Sequence, residues 1–227
     1  FTNPSEVLRK QYGEVVEEEK QLALGLDSLR ELPCVTTDGH RVPLLVNTGL
    51  LADVARAQQR GAEGVGLYRT EVPFMINQRF PSEKEQLAIY REQLQAVHPL
   101  PVTMRGLDIG GDKSLSYFPI KEDNPFLGWR GMRVTLDHPG IFLVQTRAML
   151  KASEGLNNLR IRLPIISGTP ETEEALHLIH PAWGEVRDEA TDVPMPPVGV
   201  MTELPAAGYP IGGASGREVG SISVVVA

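Results

Sequence analysis

VTMRGLDIGGDKSLSYFPIKEDNPFLGWR, residues 102–130, opens as a short apolar strand and turns abruptly into Arg105, Asp108, Gly110, Gly111, Asp112 and Lys113. A strand that ends in charge and paired glycines is how a site is presented at the rim of a parallel sheet or barrel. The glycines let backbone approach a ligand closely, and the cations supply charge for an anion. The stretch then runs through a Pro-Phe-Leu-Gly-Trp turn that delivers Arg130. A lone Gly-Gly loop reads as a surface turn with solvated charges. Here the pattern is repeated, because other strands of the chain end the same way.

Outward from that stretch, apolar strands alternate with amphipathic helices. Strands are predicted over 42–49 (VPLLVNTG), 64–71 (GVGLYRTE), 102–110, 159–167 (LRIRLPIIS) and 197–204 (PVGVMTEL), with a last apolar run, SISVVVA, at 221–227. Helices are predicted over 51–62, from a Ser82/Glu85 capping box through Val97, over 141–153, and from a Thr169 cap to about Glu189. A weaker, glycine-rich helix is expected over 205–219. Before the first strand, residues 36–40 (TTDGH) form a turn. A helix from a Ser5 cap to about Arg30 precedes it, with Val7, Leu8, Tyr12, Val15 and Val16 for packing and Glu17–Glu19 facing solvent.

Nearly all-apolar strands in a β-α alternation imply parallel strands buried on both faces. An open doubly wound sheet and a (β/α)8 TIM barrel both fit. Charged groups at successive strand ends favour the barrel, whose site is built from those ends. About six strands are present where eight are needed, and a full barrel takes ~250 residues. The expected fold is therefore an α/β barrel, incomplete and preceded by a linker helix.

Composition narrows the function. With a formal net charge of -7 the chain lacks the basic balance of a general nucleic-acid binder. Its one cysteine, Cys34, excludes an internal disulfide and a cysteine-built zinc site, and fits a reducing cytoplasm. No signal peptide and no apolar run of transmembrane length is found. The five histidines (His40, His98, His138, His177, His180) form no metal-ligand spacing. The reading is a cytoplasmic protein with no nucleic-acid partner and no membrane insertion.

Four strand ends carry the chemistry: Arg69 in GLYRTE, Arg105 in MRGLDIGG, Arg130 after NPFLGW, and Glu203 in VMTELPAA. One buried arginine is usually half of an ion pair. Three from separate loops at one barrel mouth repel each other unless an anion holds them, and arginine's planar fork suits carboxylate and phosphate. Glu203 at the same rim is a candidate oxygen ligand for Mg2+. A small substrate carrying both carboxylate and phosphate would engage all four.

GAEGVGLYRTEVPFM, LDIGGDK, DNPFLGWRGMR and GVMTELPAA together resemble the C-terminal phosphoenolpyruvate-binding barrel of enzyme I of the phosphotransferase system. The likeness covers nearly the whole chain from about Asn3. Related phosphoenolpyruvate synthases and pyruvate phosphate dikinases share the GL-x-RTE signature, whereas LDIGGDK belongs to the enzyme I branch. Tyr68 and Val72-Pro73 are more similar to the nitrogen-regulatory paralogue than to the sugar-transport form.

The resemblance implies that Arg69, Arg105 and Arg130 bind phosphoenolpyruvate, that Lys113 adds positive charge, and that Glu203 is one of two Mg2+ ligands. Asp108 would orient a neighbouring arginine. It also implies a homodimer that passes the phosphoryl group to a histidine of the enzyme and on to a histidine phosphocarrier protein. That acceptor histidine, a proton-donor cysteine and the second metal carboxylate fall outside this chain, so the chain alone is expected to be inactive. Gly106 and Thr202 depart from the family's usual residues. Residues 1–38 are read as the end of a preceding domain with a linker helix, and 39–227 as the N-terminal part of the barrel. The rival readings are a dikinase or synthase of the same barrel group, and a non-catalytic dimerisation or regulatory fragment.

Overall fold

The computed structural model describes residues 2–121, 123, 128–189, 192–204, 206 and 219–224. Six strands form one sheet: β1 (Val46–Thr48), β2 (Val65–Tyr68), β3 (Val102–Arg105), β4 (Leu159–Leu163), β5 (Val198–Thr202) and β6 (Val219–Val224). Each pairs in parallel with the next, and the spatial order is β1-β2-β3-β4-β5-β6. A doubly wound sheet reverses its strand order at a switch point. This one never does, which is the progression of a barrel, so the described strands are those of an incomplete TIM barrel.

Between the strands lie α2 (Leu51–Gln59), α3 (Glu71–Ile76), α4 (Glu83–Val97), α5 (Met132–Asp137), α6 (Pro139–Ala152) and α7 (Thr169–Asp188). One face of the sheet, with Met104, Ile161, Leu163 and Val200, packs on Leu94, Met149 and Ile179 of the helices. All four residues of β3 are buried, as a strand covered on both faces requires. A smaller apolar cluster of Phe74, Leu107, Ile109, Leu115 and Val134 lies beyond the end of β3. It underlies the loop that carries the charged residues.

The Ser82 hydroxyl and the Glu85 carboxylate form the capping box of α4, which Arg79 reinforces from outside at 2.6 Å. Sequence and structure differ at several ends. Strand β2 stops at Tyr68, and Glu71 opens the short helix α3. Pro73 is accommodated there because the first helical turn needs no N–H donors. Helix α5 was not expected. Strand β4 ends before Pro164, and Ile165 beyond it takes a positive φ of 51°. The cap of α7 is Gly168 rather than Thr169, and Glu171 reaches back to accept the Ser167 N–H at 2.6 Å.

Helix α1 (Glu6–Asp27) starts at its Ser5 cap as expected, but several of its apolar residues are exposed. Val7 is 70% exposed and Leu22 is 64% exposed. The helix expected over 205–219 lies outside the described residues except at 206 and 219, as do 124–127 of the turn before Arg130 and 225–227 of the last run. Among the described residues, no helix is long and apolar enough to cross a membrane.

Candidate functional site

The end of β3 and the loop after it build the centre of the site. Gly110 and Lys113 exchange two backbone hydrogen bonds, of 3.1 and 3.0 Å, closing a tight hairpin over residues 110–113. That fold-back returns the Lys113 ammonium to Asp108, 2.8 Å from Oδ2, and to Glu71, 2.9 Å from Oε1. Gly110 itself lies under Arg130. A Cβ there would stand 3.1 Å from Cβ and 3.2 Å from Cγ of the arginine, on a backbone with φ of 119°. Only glycine lets the two segments come this close.

Asp108 is the hub. Arg130 donates to both of its oxygens, at 3.0 Å from Nε and 3.1 Å from Nη2, the paired geometry that a guanidinium offers a carboxylate. Arg105 Nη1 stands 3.2 Å from Asp108 Oδ2 on one side, while its Nη2 donates to Glu71 on the other. Burial pushes the Asp108 carboxyl up, but the Arg130 hydrogen bonds, the charge of Arg105 and the contacts of Lys113 outweigh it and hold it at about 2. Arg130 is held charged first by those same Asp108 hydrogen bonds, against burial, with Asp112 and Glu203 adding attraction.

The arginines therefore do not repel one another for want of an anion. Three cations, Arg105, Lys113 and Arg130, share two buried carboxylates, Glu71 and Asp108. This corrects the expectation that only a bound anion could hold such a set. Glu71 was not foreseen, although it stands two residues after Arg69 in the same RTE run. A third carboxylate, the exposed Asp112, faces Arg130 Nη1 at 3.4 Å from the solvent side. Two buried atoms, Arg105 Nε and Glu71 Oε2, have no hydrogen-bond partner among the described residues.

The remaining two candidates stand differently. Arg69 follows β2, its backbone N–H bonded to Thr48 O at 2.8 Å, and its exposed side chain makes no ion pair among the described residues. Glu203, just past β5, is half-buried and its Oε2 accepts the Ile165 N–H at 2.9 Å. That bond ties down a β-branched residue in the left-handed region, a strained conformation that persists only where neighbours hold it. Glu203 thus has a structural task that its position in the sequence did not reveal.

Ile165 packs in turn against Gly131, next to Arg130. Gly131 has φ of 59°, and a Cβ on it would sit 2.8 Å from Ile165 Cγ1. Gly131→Ala should therefore combine backbone strain with overpacking and lose about 2–4 kcal/mol of stability. Denaturant unfolding checks this, and an unchanged midpoint would contradict the packing described.

Residues 24–217 match the family described as PEP-utilising enzyme, PEP-binding domain. The chain is 43% identical over 207 residues, 91% of its own length and 28% of the relative's, to an Escherichia coli (strain K12) protein named Phosphoenolpyruvate-dependent phosphotransferase system. It is 39% identical over 214 residues, 91% of this chain and 36% of the relative, to the Phosphoenolpyruvate-protein phosphotransferase of Haemophilus influenzae. It is also 42% identical over 179 residues, 78% of this chain and 21% of the relative, to a Multiphosphoryl transfer protein of Rhodobacter capsulatus. The chain thus spans well under half the length of each of these curated relatives.

Proposed function

This chain belongs to the family of PEP-binding domains of PEP-utilising enzymes, and from that premise we propose that its strand-end cluster binds phosphoenolpyruvate for phosphoryl transfer to a histidine. The observation that carries the reading is the convergence at the rim of three cations, Arg105, Lys113 and Arg130, on two buried carboxylates, with the exposed Arg69 at the end of the neighbouring strand β2. Phosphoenolpyruvate carries a carboxylate and a phosphate, the two groups that arginine forks recognise best. Arg105, Arg130 and Lys113 would supply fixed positive charge, and Arg69 would close on the ligand from the rim.

Phosphoryl transfer asks of the protein mostly positioning and electrostatic stabilisation. Cations held by Asp108 and Glu71 meet the first demand, because they need not reorganise when the ligand arrives. Their fixed positive charge meets the second, as negative charge spreads over the phosphoryl oxygens and the enolate that leaves.

Glu203 is the residue of this chain that would hold Mg2+. Among the described residues no group of three or more His, Cys, Asp or Glu side chains could hold a metal ion. Mg2+ is commonly bound by one or two carboxylates, with waters and substrate phosphates completing its shell, and Glu203 suits that share. When bound, the ion would offset phosphate charge beside the arginines.

In this reading the phosphoryl group passes to a histidine of the enzyme and then to a histidine phosphocarrier protein, within a homodimer in the cytoplasm. Residues 39–227 act as the N-terminal part of the barrel and 1–38 as the end of a preceding domain with its linker helix, in keeping with the exposed apolar residues of α1. Tyr68 and Val72-Pro73 favour the nitrogen-regulatory branch.

Calorimetric titration with phosphoenolpyruvate, with Mg2+ and then with a chelator, tests the reading. Saturable binding that weakens without Mg2+ is expected, with pyruvate and inorganic phosphate each binding less well. A folded sample that shows no heat at millimolar phosphoenolpyruvate would overturn it.

A further inference from the structure

Behind the ion cluster lies a second polar assembly, which reaches the rim through backbone groups of Arg105 and Leu107. Gln145 of α6 is buried, at 1% exposure. Its Oε1 accepts the Leu107 N–H at 2.8 Å. Its amide nitrogen donates to the Thr70 hydroxyl and to the Tyr90 hydroxyl, each at 3.1 Å. Thr70 passes its own proton on to the Arg105 carbonyl at 2.7 Å. Tyr90 donates to Gln86 Oε1 at 3.0 Å, and Gln86 donates to the Pro81 carbonyl at 2.8 Å.

Every proton in this chain has one place to go. The Leu107 N–H can meet only the amide oxygen of Gln145, so the two amide hydrogens must face the two hydroxyls. Each hydroxyl then has its own proton left for a carbonyl further on. A buried network satisfied throughout in this way holds one arrangement.

What the network joins is the point. Thr70 sits between Arg69 and Glu71, and the Arg105 carbonyl and Leu107 N–H lie on the segment that carries Arg105 and Asp108. Gln145 and Thr70 therefore clamp the end of β2 to the end of β3. We propose that Gln145 and Thr70 are positioning residues that set the spacing between the two arginine-bearing loops of the phosphoenolpyruvate site. The proposal rests on the reading of the rim as that site. Charge recognition by a rigid fork is steeply distance-dependent, and misplacement by about 1 Å can cost on the order of 100-fold in a positioned site.

Four variants of the full chain test it, each followed by thermal unfolding and by phosphoenolpyruvate titration. Gln145→Leu and Thr70→Val remove the clamp, and each should weaken affinity by roughly 30-fold or more. Thr70→Ser keeps the hydroxyl and should restore affinity to within ~3-fold of the parent. Tyr90→Phe removes a bond of the same network but leaves both links to the strand ends. It should change affinity by less than ~3-fold even where its loss of thermal stability matches that of Gln145→Leu.

If Tyr90→Phe and Gln145→Leu lose affinity in equal proportion to stability, or if Thr70→Val binds like the parent, the clamp has no positioning role. Should Gln145→Leu fail to fold, the Thr70→Val and Thr70→Ser pair decides alone. Should the parent bind no phosphoenolpyruvate, the function reading fails and the clamp is judged without ligand, by the guanidinium NMR resonances of Arg105. A displacement of those resonances in Thr70→Val but not in Tyr90→Phe then supports it, and unmoved resonances overturn it.

Discussion

Asp108→Asn should be the most destabilising single change in the rim, costing about 3–5 kcal/mol. The carboxylate is wholly buried and in contact with Arg105, Lys113 and Arg130. Asparagine matches its shape but leaves Arg105 and Lys113 to Glu71, and Arg130 to the exposed Asp112. For a domain of this size the loss corresponds to a fall in melting temperature of roughly 10 °C. A variant melting within ~2 °C of the parent would show that the cluster contributes little.

Acid provides a second test of the same carboxylate. The folded carboxyl titrates at about 2, below the ~3.9 of an unfolded aspartate. Its folded pKa is depressed, so the linked stability is complete above pH ~4 and is lost as pH falls toward about 2. That shift corresponds to about 2–3 kcal/mol. The advantage of the parent over Asp108→Asn should therefore shrink across that window and stay constant from pH 5 to 7.

The second large effect separates two arginines of the proposed site. Arg105→Ala strips a cation from Glu71 and Asp108, so it should lower both stability and phosphoenolpyruvate affinity, the latter by roughly 100-fold or more. Arg69→Ala should behave otherwise. Its side chain is exposed and makes no ion pair among the described residues, so its removal orphans no buried carboxylate. Its melting temperature should stay within ~1 °C of the parent while affinity falls by roughly 10-fold or more. Titration and thermal unfolding of the two variants side by side read this out. If Arg69→Ala bound phosphoenolpyruvate as well as the parent, Arg69 would have no place in the site.

The fold was legible because its signals are local and redundant. Apolar runs ending in Arg69, Arg105 and Glu203 gave strand identity and direction together. The Ser82/Glu85 pair gave a helix start that the structure reproduces. What composition could not decide was barrel against doubly wound sheet, since both are built from the same βα units. The charged strand ends favoured the barrel, and the strand order, a fact about pairing between distant residues, agrees.

The site was legible in its cations and not in its carboxylates. An arginine at a strand end stands out, whereas Glu71 reads as the first residue of whatever follows. Gln145 was invisible for a different reason: a polar residue on an amphipathic helix reads as solvent-facing, and its burial depends on β2 and β3 meeting behind it. The apolar residues of α1 misled in the opposite sense. Helical spacing predicts a packed face, yet Val7, Val15, Val16 and Leu22 are exposed.

The monotonic strand order also has a kinetic consequence. Each strand pairs with the one just before it in the chain, so a strand completing synthesis finds its partner already made. Loop-closure costs stay modest, and assembly can proceed by accretion from the N-terminal side. Glu71, Arg105, Asp108, Lys113 and Arg130 all fall within residues 71–130, so their pairing can be complete before β4 or β5 is added. Glu203 arrives last, bringing the carboxylate that restrains Ile165 to a rim whose charges are already in place.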